Sequence, residues 1–292
     1  MKRWLKYSLG GLLLIVVAGG ATVVVAEKRA VQRAQRHVDV TMAAVPFRTD
    51  PGAVARGRHL FNSRGCTDCH GADGGGRTLV NDGKGTHLAG HNLTSGNPRL
   101  AAYKEVDWVR SIRHGVGPEG RPLRLMPSED YNRMSDDDFS AIVAYVRQLP
   151  PVPGRLQPFI ELPLPARVLY GLDVLHDASE KINHRLPPAQ PVAEAASPDY
   201  GRYVAQMCQG CHGATLSGGK IPGGPPDWPP ASRLSSGEGS AMPRYADAAA
   251  FMRMFKTGKR PDGTAIRVMP FGSLGQMNDT ELAALFMYLK SL

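Results

Sequence analysis

The chain opens with its longest apolar run. Between the basic start MKRWLK and Glu27 lie twenty positions, Tyr7 to Ala26, without a charge. About twenty apolar residues in a helix cross a bilayer core, whereas the apolar centre of a cleavable signal peptide spans about 7–15. The run reads as an uncleaved anchor helix over 1–26, with cleavage after Val24-Val25-Ala26 as the rival. Lys2, Arg3 and Lys6 on one side face Lys28, Arg29, Arg33 and Arg36 on the other, so charge does not orient the helix. A basic, helix-compatible neck follows over 27–47.

Beyond the neck, apolar positions recur at helical spacing in short segments, and they do so twice. One helix is predicted over 105–115 (EVDWVRSIRHG) and another over 247–258 (DAAAFMRMFKTG), each ended by its glycine. A last helix starts in each copy at Ser135 or Asn278, good N-caps with acids in the first turn. Phe139, Ile142, Val143 and Val146 give its apolar face. Sustained two-residue alternation is missing, so little sheet and an all-α fold are expected.

The two series are copies. Residues 113–149 lie over 256–292 without a gap, offset by 143: Gly115 on Gly258, Gly120 on Gly263, Arg124 on Arg267, Met-Pro 126–127 on 269–270, Met134 on Met277 and Tyr145 on Tyr288. Upstream, GRHL (57–60) matches GRYV (201–204). Two tandem domains are therefore expected, 48–150 and 197–292. The Pro-rich stretch 151–196 is the linker between them, extended apart from one short helix near 166–176.

Composition narrows the partners. Gly (33) and Pro (24) are abundant, which favours loop-rich domains of short helices. The net charge of +9 admits nucleic acid, an anionic membrane surface or an acidic protein. The basic residues are scattered and no nucleic-acid motif occurs, so no nucleic-acid role is expected. An acidic protein is the expected partner, beside the inner membrane that takes the N-terminal helix.

All four cysteines lie in CTDCHG (66–71) and CQGCHG (208–213). Cys-x-x-Cys-His is the attachment signature of c-type haem. Two cysteines three apart on one helical turn face the same way and can form thioethers with two vinyl groups of one haem. The next residue, His70 or His212, can then ligate the iron. A zinc site would place its second cysteine pair about 15–20 residues on. A thioredoxin-like pair would sit in a βαβ pattern, which is missing. Two covalent haems are expected, on Cys66 and Cys69 and on Cys208 and Cys211. Such attachment happens outside the cytoplasm, so the domains are expected in the periplasm with residues 1–6 inside.

No histidine follows His212, so methionine is the protein candidate for the sixth ligand of the second iron. In the first copy only Met126 and Met134 follow the haem motif, and their partners are Met269 and Met277. Met134 and Met277 each precede a helix N-cap, the staple position, where packing on Phe139 and Leu282 explains them. Met126 and Met269 precede proline in a turn, with no packing period. They are the expected axial ligands. His87, His91 and His114 lack a counterpart in the second copy and read as surface or loop histidines. Trp108 aligns with Phe251 and reads as core against the haem edge.

These residues carry a resemblance. CTDCHGADGGG, GHNLTSG, LMPSEDYNRMSDDDFSAIVAYVRQLPPV and YGRYVAQMCQGCHGATLSGG resemble bacterial di-haem cytochromes c built from two class I cytochrome c domains. Such proteins are similar in turn to the membrane-bound cytochrome subunits of periplasmic alcohol and sugar dehydrogenases. The resemblance implies Cys66, Cys69, His70 and Met126 for one haem, and Cys208, Cys211, His212 and Met269 for the other. It implies a membrane-anchored electron carrier rather than an enzyme, working in a respiratory chain between a periplasmic donor and a terminal acceptor. The alternative is a di-haem enzyme of peroxidase or thiosulfate-oxidising type with one haem open. That would break the repeat at one Met-Pro, and both copies keep it.

Overall fold

The computed structural model describes residues 3–153, 160–225 and 227–292. Met1 and Lys2 of the expected anchor, residues 154–159 of the linker and Pro226 of the second-copy loop lie outside the described residues. In chain order the helices are α1 (Arg3–Gln35), α2 (Pro51–Ser63), α3 (Cys66–His70), α4 (Pro98–Ala101), α5 (Glu105–His114), α6 (Asp136–Val146), α7 (Leu164–Gly171), α8 (Ala178–Lys181), α9 (Pro198–Val204), α10 (Gln209–His212), α11 (Ala248–Thr257), α12 (Phe271–Leu274) and α13 (Asp279–Ser291). Three short strands, β1 (Thr78–Asn81), β2 (His87–Ala89) and β3 (Ile160–Glu161), pair antiparallel in the order β1-β2-β3, with Leu88 opposite Ile160. The fold is otherwise helical, as the spacing of apolar positions implied.

Among the described residues, the two largest hydrophobic cores fall one in each copy. Phe61, Trp108, Met134, Phe139, Ile142 and Val143 share the first. Phe251, Met254, Met277, Leu282 and Leu285 share the second. In each core the entry helix crosses the last helix at a glycine. A Cβ on Gly57 of α2 would collide with the Ala141 carbonyl of α6, and a Cβ on Gly201 of α9 would collide with the Ala284 carbonyl of α13. These are the shared glycines of GRHL and GRYV, and close backbone approach is what requires them.

The copies face each other with approximate two-fold symmetry. His59 Nε2 lies 2.9 Å from Glu281 Oε2, while Tyr203, the same position of the repeat, donates to Asp138 Oδ2 at 2.8 Å. Asp138 and Glu281 are both third residues of their last helices, whose N-caps are Ser135 and Asn278. Arg64 Nη2 also donates to the fully buried Glu281 at 2.5 Å, a contact with no mirror image in the described hydrogen bonds. Burial alone would raise the Glu281 carboxyl. The hydrogen bond from His59 and the charges of Arg64 and His59 overcome that and hold it at about 2.

At the other end, α1 continues unbroken into the region expected as a neck and ends at Gln35, with residues 36–47 outside any helix. Nothing between Ala26 and Gln35 breaks it, since that stretch has neither glycine nor proline. Tyr7–Gln35 is long and apolar enough to cross a membrane. Its C-terminal part docks on the linker: Ala26 is buried, and a Cβ on Gly171 of α7 would collide with the Ala26 carbonyl. Arg33 bridges Asp173 and Glu180, both at 2.7 Å, and Arg36 bridges the buried Asp177 at 2.8 Å.

Candidate functional site

In the first copy α2 ends at Ser63, and Gly65, at φ 84°, turns the chain into the five-residue helix that carries the cysteines. No β-carbon fits that left-handed turn comfortably, which is why the motif is entered through glycine. Cys66, Cys69 and His70 line one wall of an apolar cavity whose other walls include Phe61, Leu100, Trp108 and Met126. Its empty space is about 1100 Å³, part of it open to solvent.

The histidines are held alike. His70 Nδ1 lies 2.8 Å from the His91 carbonyl oxygen, and His212 Nδ1 lies 2.8 Å from that of Ser232. Each ring N–H donates to its carbonyl, which leaves Nε2 with a free lone pair for a metal. Burial lowers the pKa of both rings below the ordinary 6.5, favouring the neutral form that ligation needs. The loop supplying the first carbonyl fits tightly, because a Cβ on Gly90 would collide with the Cys69 carbonyl.

The cysteines are unlike a zinc centre. Burial pushes the Cys66 and Cys208 thiols up to about 12, the opposite of the thiolate that zinc selects. A pair of neutral thiols beside a metal-ready imidazole and an apolar cavity fits a c-type haem.

Met126 lines the same cavity as His70, and Met269 packs against the second core together with Cys208. Met134 also borders the first cavity while sharing the core with Phe139, and Met277 shares the second core with Leu282. His87 lies on β2, and His91 is in the loop behind His70. His114 departs from the surface or loop expectation. It is buried on α5 with its Nδ1 3.0 Å from His184 Nδ1 of the linker, a partner the sequence did not point to.

Residues 54–150 match the cytochrome c family, and residues 197–289 match cytochrome c oxidase, cbb3-type, subunit III. Both halves belong to the cytochrome c family. With two such domains, the protein carries two covalently bound c-type haems and transfers electrons. The chain is similar to the "Fructose dehydrogenase cytochrome subunit" of Gluconobacter japonicus, at 25% identity over 82% of this chain and 52% of that protein. A 117-residue stretch is 31% identical to the "Cbb3-type cytochrome c oxidase subunit CcoP" of Helicobacter pylori (strain 52), covering 40% of this chain and 35% of that one. The cytochrome thus spans about half, or less, of the length of these curated relatives.

The two cytochrome domains touch through a reciprocal pair of contacts. Ser273 Oγ donates to Asp68 Oδ2 at 2.6 Å, and the Gly210 N–H donates to Asp130 Oδ1 at 2.9 Å. Asp68 and Gly210 occupy the same place inside the two cysteine motifs, and Asp130 and Ser273 the same place after the two Met-Pro turns. Each cysteine helix therefore abuts the methionine-bearing turn of the other domain. The repeat alignment already paired these positions, but it held no sign that they meet across domains.

Proposed function

We propose that the cytochrome is a membrane-anchored periplasmic carrier. It moves single electrons between a periplasmic donor, a dehydrogenase or quinol-oxidising complex, and a terminal acceptor. Cys66 and Cys69 hold one haem by thioethers, and Cys208 and Cys211 hold the other. His70 with Met126, and His212 with Met269, close the two irons. Bound haem supplies a reversible one-electron couple, and thioether ligation favours its reduced form relative to a second imidazole.

The observation that carries this reading is the duplication of a closed site. Both copies keep an imidazole fixed by a backbone carbonyl, and both keep methionine before proline. The side chains around the first cavity exclude water and hold the geometry whichever charge the iron carries. The contacts Asp68–Ser273 and Gly210–Asp130 give a short internal path between the sites. On this account the functional units are the anchor 1–26, the neck 27–47, the domains 48–150 and 197–292, and the linker 151–196. The α1 docking on α7 and α8 fixes the first domain to the bilayer, with residues 1–6 in the cytoplasm. The net charge of +9 supports an acidic face on an oxidase or dehydrogenase partner.

Haem stoichiometry and topology test this together. The chain in carbonate-washed membranes should hold two covalent haems by pyridine haemochrome, and Cys66→Ala/Cys69→Ala should hold one. Protease added to spheroplasts should degrade the domains. Loss of the chain from washed membranes, or domains shielded in spheroplasts, would contradict the anchored periplasmic assignment.

A further inference from the structure

A stripe of apolar residues at helical spacing usually packs into a core, yet on α7 it points away from the protein. Leu164, Pro165, Val168, Leu169 and Leu172 fall on one side of the helix and its C-cap. Of these, Leu164, Leu169 and Leu172 are 46%, 40% and 42% exposed, and Val174 just beyond them is 60% exposed. The opposite side of α7 is taken by α1. Tyr170 and Gly171 are buried there, the Ala26 carbonyl leaves no room for a Cβ on Gly171, and Arg167 donates to Glu27 at 2.9 Å. Apolar side chains exposed singly are ordinary, whereas a contiguous stripe of them marks a surface that meets something else.

What the stripe meets follows from where α1 places it. Ala26 is the last residue of the charge-free run Tyr7–Ala26. Its twenty positions, at about 1.5 Å each, span about 30 Å, the depth of the hydrocarbon core of a bilayer. Because α7 packs at that end, its stripe continues the apolar surface of α1, whose Val24 and Val25 are also exposed. The acids nearby have cationic partners: Glu27 pairs with Arg167, and Asp173 with Arg33 at 2.7 Å. Lys28 and Arg29, next along α1, are exposed. An outward apolar face flanked by cations suits the boundary between lipid headgroups and acyl chains.

We propose that α7 is an interfacial helix, with Leu164, Leu169 and Leu172 seated in the headgroup boundary of the periplasmic leaflet beside the anchor. The proposal rests on the anchored reading above and adds a second membrane contact, supplied by the linker. The anchor sets the height of the protein over the bilayer, and the stripe sets its tilt. That tilt has a consequence for the first haem site. Ile160, four residues before Leu164, lines the first cavity. At most about 14 Å of extended chain therefore separates that cavity wall from the start of the stripe. The first domain is thus the one held near the lipid surface.

The test uses the full-length holoprotein in vesicles of phosphatidylcholine and phosphatidylglycerol. All four native cysteines lie in the haem motifs, where thioethers consume them, so an introduced cysteine can be spin-labelled alone. Leu169→Cys and Leu172→Cys probe the stripe, Val16→Cys the middle of the anchor, and Glu238→Cys an exposed position of the second domain. Each variant is first shown to hold two haems by pyridine haemochrome. Its label is then read by power-saturation EPR against oxygen, which concentrates in lipid, and a nickel chelate present on both sides, which stays in water. Labels at 169 and 172 should give an oxygen-to-nickel ratio several-fold above the label at 238 and below the label at 16. Ratios at 169 and 172 equal to that at 238, with the label at 16 deep, would overturn the proposal while leaving the anchor standing. The stripe would then face water or a partner protein. A label at 16 as wet as that at 238 would overturn the anchored reading and the proposal with it.

Discussion

Glu281→Gln removes the charge at the centre of the domain interface while keeping the side chain's size and one carbonyl oxygen. In the wild type, Glu281 is fully buried against Arg64, whose side chain is 5% exposed, and also meets His59. Its own-helix bond from the Asn278 N–H, 2.9 Å long, can survive in the amide, so the capping box stays largely intact. What is lost is the counter-charge of a buried guanidinium, and removing one partner of such a pair costs about 3–5 kcal/mol. The carboxyl's displacement from 4.5 to about 2 converts to roughly 3 kcal/mol at 1.36 kcal/mol per unit. The two routes agree, and the loss should fall on the docking of the domains rather than on either core. Guanidinium unfolding of the detergent-solubilised holoprotein measures it. Acidification gives an independent check. A carboxylate depressed on folding adds stability that is fully present above its unfolded value of 4.5 and is lost as pH falls toward about 2. Wild type should lose stability through that window, and Glu281→Gln should lack this component. A variant within about 1 kcal/mol of wild type, with the same acid limb, would refute the account of the interface.

Gly57→Ala should cost about 1–3 kcal/mol or more, read by thermal unfolding, because the added methyl meets the Ala141 carbonyl. Asp177→Asn should speed tryptic cleavage after Arg33 or Arg36, since Asp177 anchors Arg36 and also accepts from the Tyr170 hydroxyl at 2.9 Å. Met269→Ala should leave both haems attached but let carbon monoxide bind about half of the reduced haem, as expected from opening one of two sites. Unchanged values in these assays would count against the respective contact.

Much of the fold was legible because it is local. Ser135 and Asn278 cap their helices through side-chain bonds to the third residue, as their position before an acidic first turn implied. The cysteine motifs lie on short helices because their spacing is that of one helical turn. What escaped is long-range. Arg64 and Glu281 are 217 residues apart and His114 and His184 are 70 apart, and neither pair has a periodicity to announce it. The β2–β3 pairing joins a loop of the first domain to the linker through two residue pairs, too short for alternation to register. The expected neck begins after the last apolar residue, and the helix continues into it to Gln35, where Arg33 within the helix and Arg36 just beyond it meet the linker acids. Hydropathy marks where a membrane could end, while helix termination depends on breakers and contacts.

The central claim is that both irons are closed by protein ligands and exchange electrons without binding substrate. The optical spectrum of the fully reduced holoprotein, recorded before and after carbon monoxide, tests it most directly. An unchanged spectrum is the predicted result, with His70 and Met126 on one iron and His212 and Met269 on the other. A change in about half of the haem would mean one open site, and would contradict the carrier in favour of a di-haem enzyme.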